Sequence, residues 1–206
     1  MRFHSPLTHI LDNQTKVVIL RLLCRYPTSI TGRQLAKVVK INPTTVNKAL
    51  NGLIGEQIIL VRTAGKSCIY ELNKTHWIVT KLLIPLFKQE DILLDDFINN
   101  VVLGIKKSEL KDNILSVVLF GSVQEGTEKP GSDIDLCVVV KESKDKKKTE
   151  DLIINLDSTL MSQIGMSIEP YVKTISEFKK DRELGVIKSI LKSNRVIWGQ
   201  SLEKIL

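Results

Sequence analysis

The sequence predicts an α+β protein in two parts: a basic N-terminal domain of three helices and a β-hairpin, then a C-terminal α/β domain whose mixed sheet is flanked by helices. Three observations carry this. Apolar residues recur at helical spacing through roughly the first 55 positions, and two β-rich runs follow them. After residue 110, short apolar strand-like runs are interleaved with a helical stripe. Charge divides with the elements: residues 1–90 hold 13 Lys/Arg against 4 Asp/Glu and residues 91–206 hold 17 against 19, so the net +7 splits into +9 and −2. The expected domains are 1–75, a helical linker over 76–110, and 111–206.

In the first part, Ile19, Leu22, Leu23 and Tyr26 mark a helix that Pro27 stops. Thr31 and Gln34 have the form of a capping box ahead of Leu35, Val38 and Val39. Asn42 can cap a third helix with Pro43 at its first position, and Val46, Ala49, Leu50 and Leu53 form its core face. Its other face carries Thr44, Thr45, Asn47, Lys48 and Asn51, short polar side chains suited to base edges and phosphates in a major groove. The runs 57–63 and 68–72 flank Ala64, Gly65, Lys66 and Ser67, a hairpin with Arg62 and Lys66 at its tip. This order of elements resembles the winged helix-turn-helix domains of bacterial and archaeal transcription regulators, which implies double-stranded DNA as a partner. The charge excess points the same way.

Between the parts, Trp77 to Phe87 is apolar with Pro85 inside it, and Leu94, Phe97, Ile98, Val101 and Ile105 make a second stripe. One kinked helix or two are expected. The stripe suits a homodimer contact or packing against the C-terminal sheet. No apolar run approaches the roughly 20 residues of a membrane helix, and no secretory leader is recognisable, so a cytoplasmic location without membrane contact is expected. Cys24, Cys68 and Cys137 stand singly and read as buried thiols; His4, His9 and His76 have no ligand spacing, and Trp77 and Trp198 read as packing residues.

The second part carries the chemistry. A strand, Leu115 to Phe120, ends in Gly121-Ser122; after ten intervening residues Asp133-Ile134-Asp135-Leu136 opens a strand running to Val140. Residues two apart in a strand share a face, so Asp133 and Asp135 project together while Ile134 and Leu136 face the core. Adjacent like charges repel, and a hard divalent cation relieves them; Mg²⁺ typically takes one or two carboxylates and leaves its other positions to water and phosphate. Gly121 lets a backbone approach phosphate closely, with the Ser122 hydroxyl and nearby amides as donors.

Hydrophobic-Gly-Ser, ten residues, then Asp-Ile-Asp resembles the nucleotidyltransferase superfamily related to DNA polymerase β, with its small prokaryotic members nearest in pattern. The resemblance implies Mg²⁺ or Mn²⁺ held by Asp133 and Asp135, a nucleoside triphosphate held at Gly121 and Ser122, and a third carboxylate on a later strand. Glu169, between Ile168 and Pro170, is the candidate for that third acid, with Pro170 pointing to an edge strand or a bulge. Asn194 to Gly199 resembles the closing strand of these enzymes. Gln124 and Glu125 stand where many minimal members carry an Arg; Lys129, Lys179 and Lys180 are the alternative cations. The favoured function is transfer of a nucleoside monophosphate to an unknown acceptor hydroxyl, beside a DNA-binding domain. Two alternatives stand with it: a regulator that senses nucleotide without turnover, and an antitoxin-type enzyme whose acceptor is a protein.

Overall fold

The computed structural model describes residues 3–65 and 67–206 and divides into two compact units, Met1–Leu93 and Leu94–Leu206. Lys66, expected at the hairpin tip, lies outside the described residues. In the first unit α1 (Gln14–Arg25) starts where the Asn13 side chain accepts from the Lys16 amide. A two-residue strand β1 (Ile30–Thr31) leads into α2 (Gly32–Val39), whose capping box joins Thr31 and Gln34 reciprocally. Helix α3 (Pro43–Gly55) is capped by Asn42, whose side chain accepts from the Thr44 amide, with Pro43 in the first turn. Strands β2 (Ile59–Ala64) and β3 (Ser67–Leu72) pair antiparallel, and β1 adds to β3, in the order β1-β3-β2. Three helices and a three-stranded hairpin sheet in this order form a winged helix-turn-helix. Leu20, Leu23, Leu35, Val46, Leu50, Leu53, Ile58 and Ile59 close its core.

Val79–Leu83 forms a π-helical turn that runs into α4 (Ile84–Lys107). Pro85 follows directly on this π-helical turn, in which the Ile84 amide donates to the Val79 carbonyl five residues back, so of the two expected forms the single helix with Pro85 inside it is the one observed. Leu83 and Phe87 belong to the first core. Phe97, Ile98, Val101 and Ile105 belong to the second, so that stripe is covered within its own unit by the sheet.

The second unit is a four-stranded mixed sheet, order β6-β5-β4-β7. Strand β4 (Ile114–Phe120) leads to a five-residue helix α5 (Gly121–Glu125), and β5 (Ile134–Val140) runs antiparallel to β4. Helix α6 (Ser143–Ile164) crosses over to β6 (Ile168–Thr174), parallel to β5, as the longer connection of a parallel pair requires. The short helices α7 (Ile175–Lys180) and α8 (Gly185–Lys192) then precede β7 (Arg195–Gly199), which pairs antiparallel with β4, and α9 (Leu202–Ile205) ends the chain. Alternate strand residues serve two cores: Ile134, Leu136 and Val138 pack with α4 and α6, whereas Cys137 and Val139 pack with Phe178, Ile187, Ile190 and Leu202.

Three expectations about single residues are corrected. Cys68 is exposed on β3 and Cys24 half-buried, leaving Cys137 as the buried thiol; burial pushes Cys24 up to about 11 and Cys137 up to about 12. Trp77 is 68% exposed and packs into no core, whereas Trp198 packs beside the second one. Among the described residues no helix is long and apolar enough to cross a membrane.

Candidate active site

The end of β4 and the starts of β5 and β6 meet at one edge of the second unit. Phe120, the last residue of β4, lies opposite Asp135 on β5, and the chain then turns at Gly121 with φ +70°. That left-handed backbone favours glycine, and space demands it as well: a Cβ there would lie 2.0 Å from Asp135 Oδ2 and 2.8 Å from its Cγ. The Gly-Ser corner therefore lies directly against the Asp135 carboxylate. Ser122 and Val123 follow in the first turn of α5, where amides have no acceptor inside the helix.

On the other side, Asp135 pairs with Glu169 in an unbroken parallel register from Ile134↔Ile168 to Val140↔Thr174. Pro170 introduces no bulge because β6 is an edge strand, whose outer side needs no ladder hydrogen bonds. Glu169 thus shares a face with Asp135. Asp133 stands one residue before β5, exposed, and its Oδ1 accepts a hydrogen bond from the Ser167 hydroxyl. Burial first, then the negative charges of Glu169 and Asp133, hold the Asp135 carboxyl above its ordinary value.

Among the described residues no Lys or Arg forms an ion pair with Asp133, Asp135 or Glu169, and no group of three or more His, Cys, Asp or Glu is close enough to hold a metal ion as a ready-made cage. An oxygen-only donor set carrying uncompensated negative charge still fits a hard divalent ion that takes two carboxylates and completes its shell with phosphate and water. Around α5 the residues Gln124 and Glu125 bring no cation. Lys129 is exposed in the loop, and Lys179 and Lys180 end α7 exposed.

Ser167 was not singled out from the sequence, although a signal was there: it lies two residues before Glu169 and so occupies the same face of the same strand direction.

Residues 105–203 match the family described as Polymerase beta, Nucleotidyltransferase. The C-terminal domain is a polymerase β-type nucleotidyltransferase domain. Among solved structures, the chain is similar to a fragment of a possible transcriptional regulatory protein from Mycobacterium bovis, at 20% identity over 44% of this chain and 89% of that one, with a TM-score of 0.34. It is similar to the AntR antimony-specific transcriptional repressor at 20% identity, over 44% and 75% of the two chains, with a TM-score of 0.36. A toxin-antitoxin structure with AMP-PNP matches at 19% identity, over 52% and 77%, with a TM-score of 0.33. No curated protein matches. At such scores the likenesses carry no argument about function; the nucleotidyltransferase domain is carried by the family match and the winged helix by its own topology.

On that winged helix, Thr44, Thr45, Asn47, Lys48 and Asn51 are all exposed on α3, opposite Val46, Ala49, Leu50 and Leu53 in the core. Arg62 is exposed on β2, with Nη2 donating to Ser29 Oγ at 3.4 Å. The polar face of α3 and Arg62 on the wing are therefore both open to solvent.

Proposed function

We propose that the nucleotidyltransferase domain transfers a nucleoside monophosphate from a nucleoside triphosphate to an acceptor hydroxyl, with pyrophosphate leaving, and that the winged helix binds double-stranded DNA. The observation that supports the first half most strongly is the contact of the Gly121 corner with Asp135, with Glu169 in register beside it. Asp133 and Asp135 would hold Mg²⁺ or Mn²⁺, which when bound supplies neutralisation and alignment of the triphosphate charge. Gly121, lacking a side chain, lets the phosphate tail come down onto the backbone, and the Ser122 hydroxyl donates to an oxygen of the leaving pyrophosphate. Glu169, exposed on β6 in register with Asp135, would take the acceptor's proton as its oxygen attacks the α-phosphorus. In-line positioning and charge stabilisation account for most of the rate in this chemistry.

Incubating the full chain with α-labelled ATP, CTP, GTP and UTP and Mg²⁺ tests this. Pyrophosphate release with label on an acceptor supports the transferase, and label on a copurifying protein identifies the acceptor as protein. Tight nucleotide binding without turnover makes the domain a sensor. Absence of both nucleotide binding and turnover contradicts the proposal. For the winged helix, the exposed Lys48 and Arg62 support DNA binding that weakens steeply with salt, as release of counterions from the duplex requires.

A further inference from the structure

The carboxylate that opens the Asp-Ile-Asp motif is the least restrained member of the site. Asp133 precedes β5 and is exposed, so neither ladder nor core fixes its rotamer. Asp135 differs: it is half-buried within the strand, with Gly121 against it and Glu169 in register. A side chain free to rotate at the protein surface binds a cation weakly, because ordering it opposes binding.

The structure supplies one restraint. The Ile134 amide donates to the Ser167 carbonyl at 2.8 Å, which carries the parallel pairing of β5 and β6 one step beyond their ends and brings residue 167 level with residue 133. By the two-residue period, Ser167 faces the same way as Glu169, and Asp133 the same way as Asp135. From there the Ser167 hydroxyl donates to Asp133 Oδ1. A serine hydroxyl has a single proton to give, so this bond commits it to the carboxylate.

We infer that Ser167 is a positioning residue for the metal site: its hydroxyl fixes the Asp133 carboxylate through Oδ1 and leaves Oδ2 turned out for a divalent cation. This rests on the assignment of Asp133 as a metal ligand. It also means that one strand start, 167–169, serves both ends of the acidic cluster, orienting Asp133 through a hydroxyl and contributing Glu169 directly. The backbone hydrogen bond from Ile134 to residue 167 does not involve the hydroxyl, so its removal leaves the sheet intact.

The test is Mn²⁺ affinity of the full chain, read by electron paramagnetic resonance in the presence of a non-hydrolysable ATP analogue, for wild type, Ser167→Ala, Ser167→Thr and Asp133→Asn. Ser167→Ala should weaken Mn²⁺ by about 10-fold or more, the usual consequence of losing a hydrogen bond to a metal ligand. Ser167→Thr, which keeps the hydroxyl on a β-branched side chain suited to a strand, should restore most of the affinity. In turnover, Ser167→Ala should raise the Mg²⁺ concentration needed for half-maximal rate while the rate at saturating Mg²⁺ stays near wild type. A merely structural serine would produce no such split. Wild-type Mn²⁺ affinity in Ser167→Ala, or failure of Ser167→Thr to rescue a loss, overturns the inference while Asp133→Asn still abolishes binding. Unchanged affinity in Asp133→Asn overturns the site assignment itself and this inference with it.

Discussion

Replacing Gly121 by alanine separates two demands that the same residue meets. Its φ of +70° penalises any side chain by about 1–2 kcal/mol, the cost of left-handed backbone for an L-residue. Gly126, with φ +66°, bears the same backbone cost but has nothing within 4 Å of the position a Cβ would take. Gly126→Ala is therefore a control matched in backbone and free of contact. At Gly121 the new Cβ would sit 2.0 Å from Asp135 Oδ2, and a Cβ essentially never comes within 3.0 Å of a non-bonded heavy atom, so the carboxylate must withdraw by about 1 Å. A displacement of that size at a reacting centre costs on the order of 100-fold in activity. Both variants should lose about 1–2 kcal/mol in urea unfolding, while Gly121→Ala alone loses Mg²⁺-dependent nucleotide binding by calorimetry. Equal nucleotide affinity in the two variants would refute the idea that the glycine corner and Asp135 form one site.

Further expectations follow from the same geometry. Because the native Asp135 carboxyl lies above its unfolded value, its ionisation opposes folding; the stability it withholds is absent below about pH 4 and grows as pH rises through the native value. Like charges about 5 Å apart across neighbouring strands, in largely aqueous surroundings, repel by about 1 kcal/mol. Asp135→Asn should accordingly be more stable than wild type by about that amount at pH 7, with the gain vanishing in acid, as thermal melts across pH 3–8 would show. A Cβ on Gly104 would meet Leu156 Cδ2 at 2.4 Å, so Gly104→Ala should destabilise by about 1–3 kcal/mol despite a better helix propensity, and Leu156→Ala in the same chain should offset part of the loss. Lys48→Ala or Arg62→Ala should weaken DNA binding across sequences and lower the logarithmic salt slope by about one for each phosphate contact removed, read by fluorescence anisotropy.

Local signals gave the winged helix away: the Thr31-Gln34 box, Asn42-Pro43 and the period of Val46, Ala49, Leu50 and Leu53 are all short-range and all form as the spacing predicts. The nucleotidyltransferase motif was equally legible, because strand, Gly-Ser and Asp-Ile-Asp are each contiguous. What stayed hidden depends on pairing between distant segments. Whether Glu169 stands beside Asp135 is decided by the register of β6 on β5, which residues 168–174 alone do not encode. Pro170 is compatible with an edge strand or a bulge, and the strand order and unbroken register decide for the edge. The strand period puts Ser167 on the face of Glu169, but its partner Asp133 is 34 residues away and only the register brings the two together. The apolar stripe from Phe97 to Ile105 has one periodicity whether it meets a sheet or another chain, and only the tertiary structure shows the sheet taking it. Exposed Trp77 and Cys68 show the reverse limit, since residue type alone does not decide burial.

A crystal of the full chain grown with Mn²⁺ and a non-hydrolysable ATP analogue tests the central claim most directly. An anomalous peak bridging Asp133, Asp135 and the phosphates, with the triphosphate lying against Gly121 and Ser122, is the expected result. Nucleotide bound elsewhere, or manganese away from both aspartates, would contradict it.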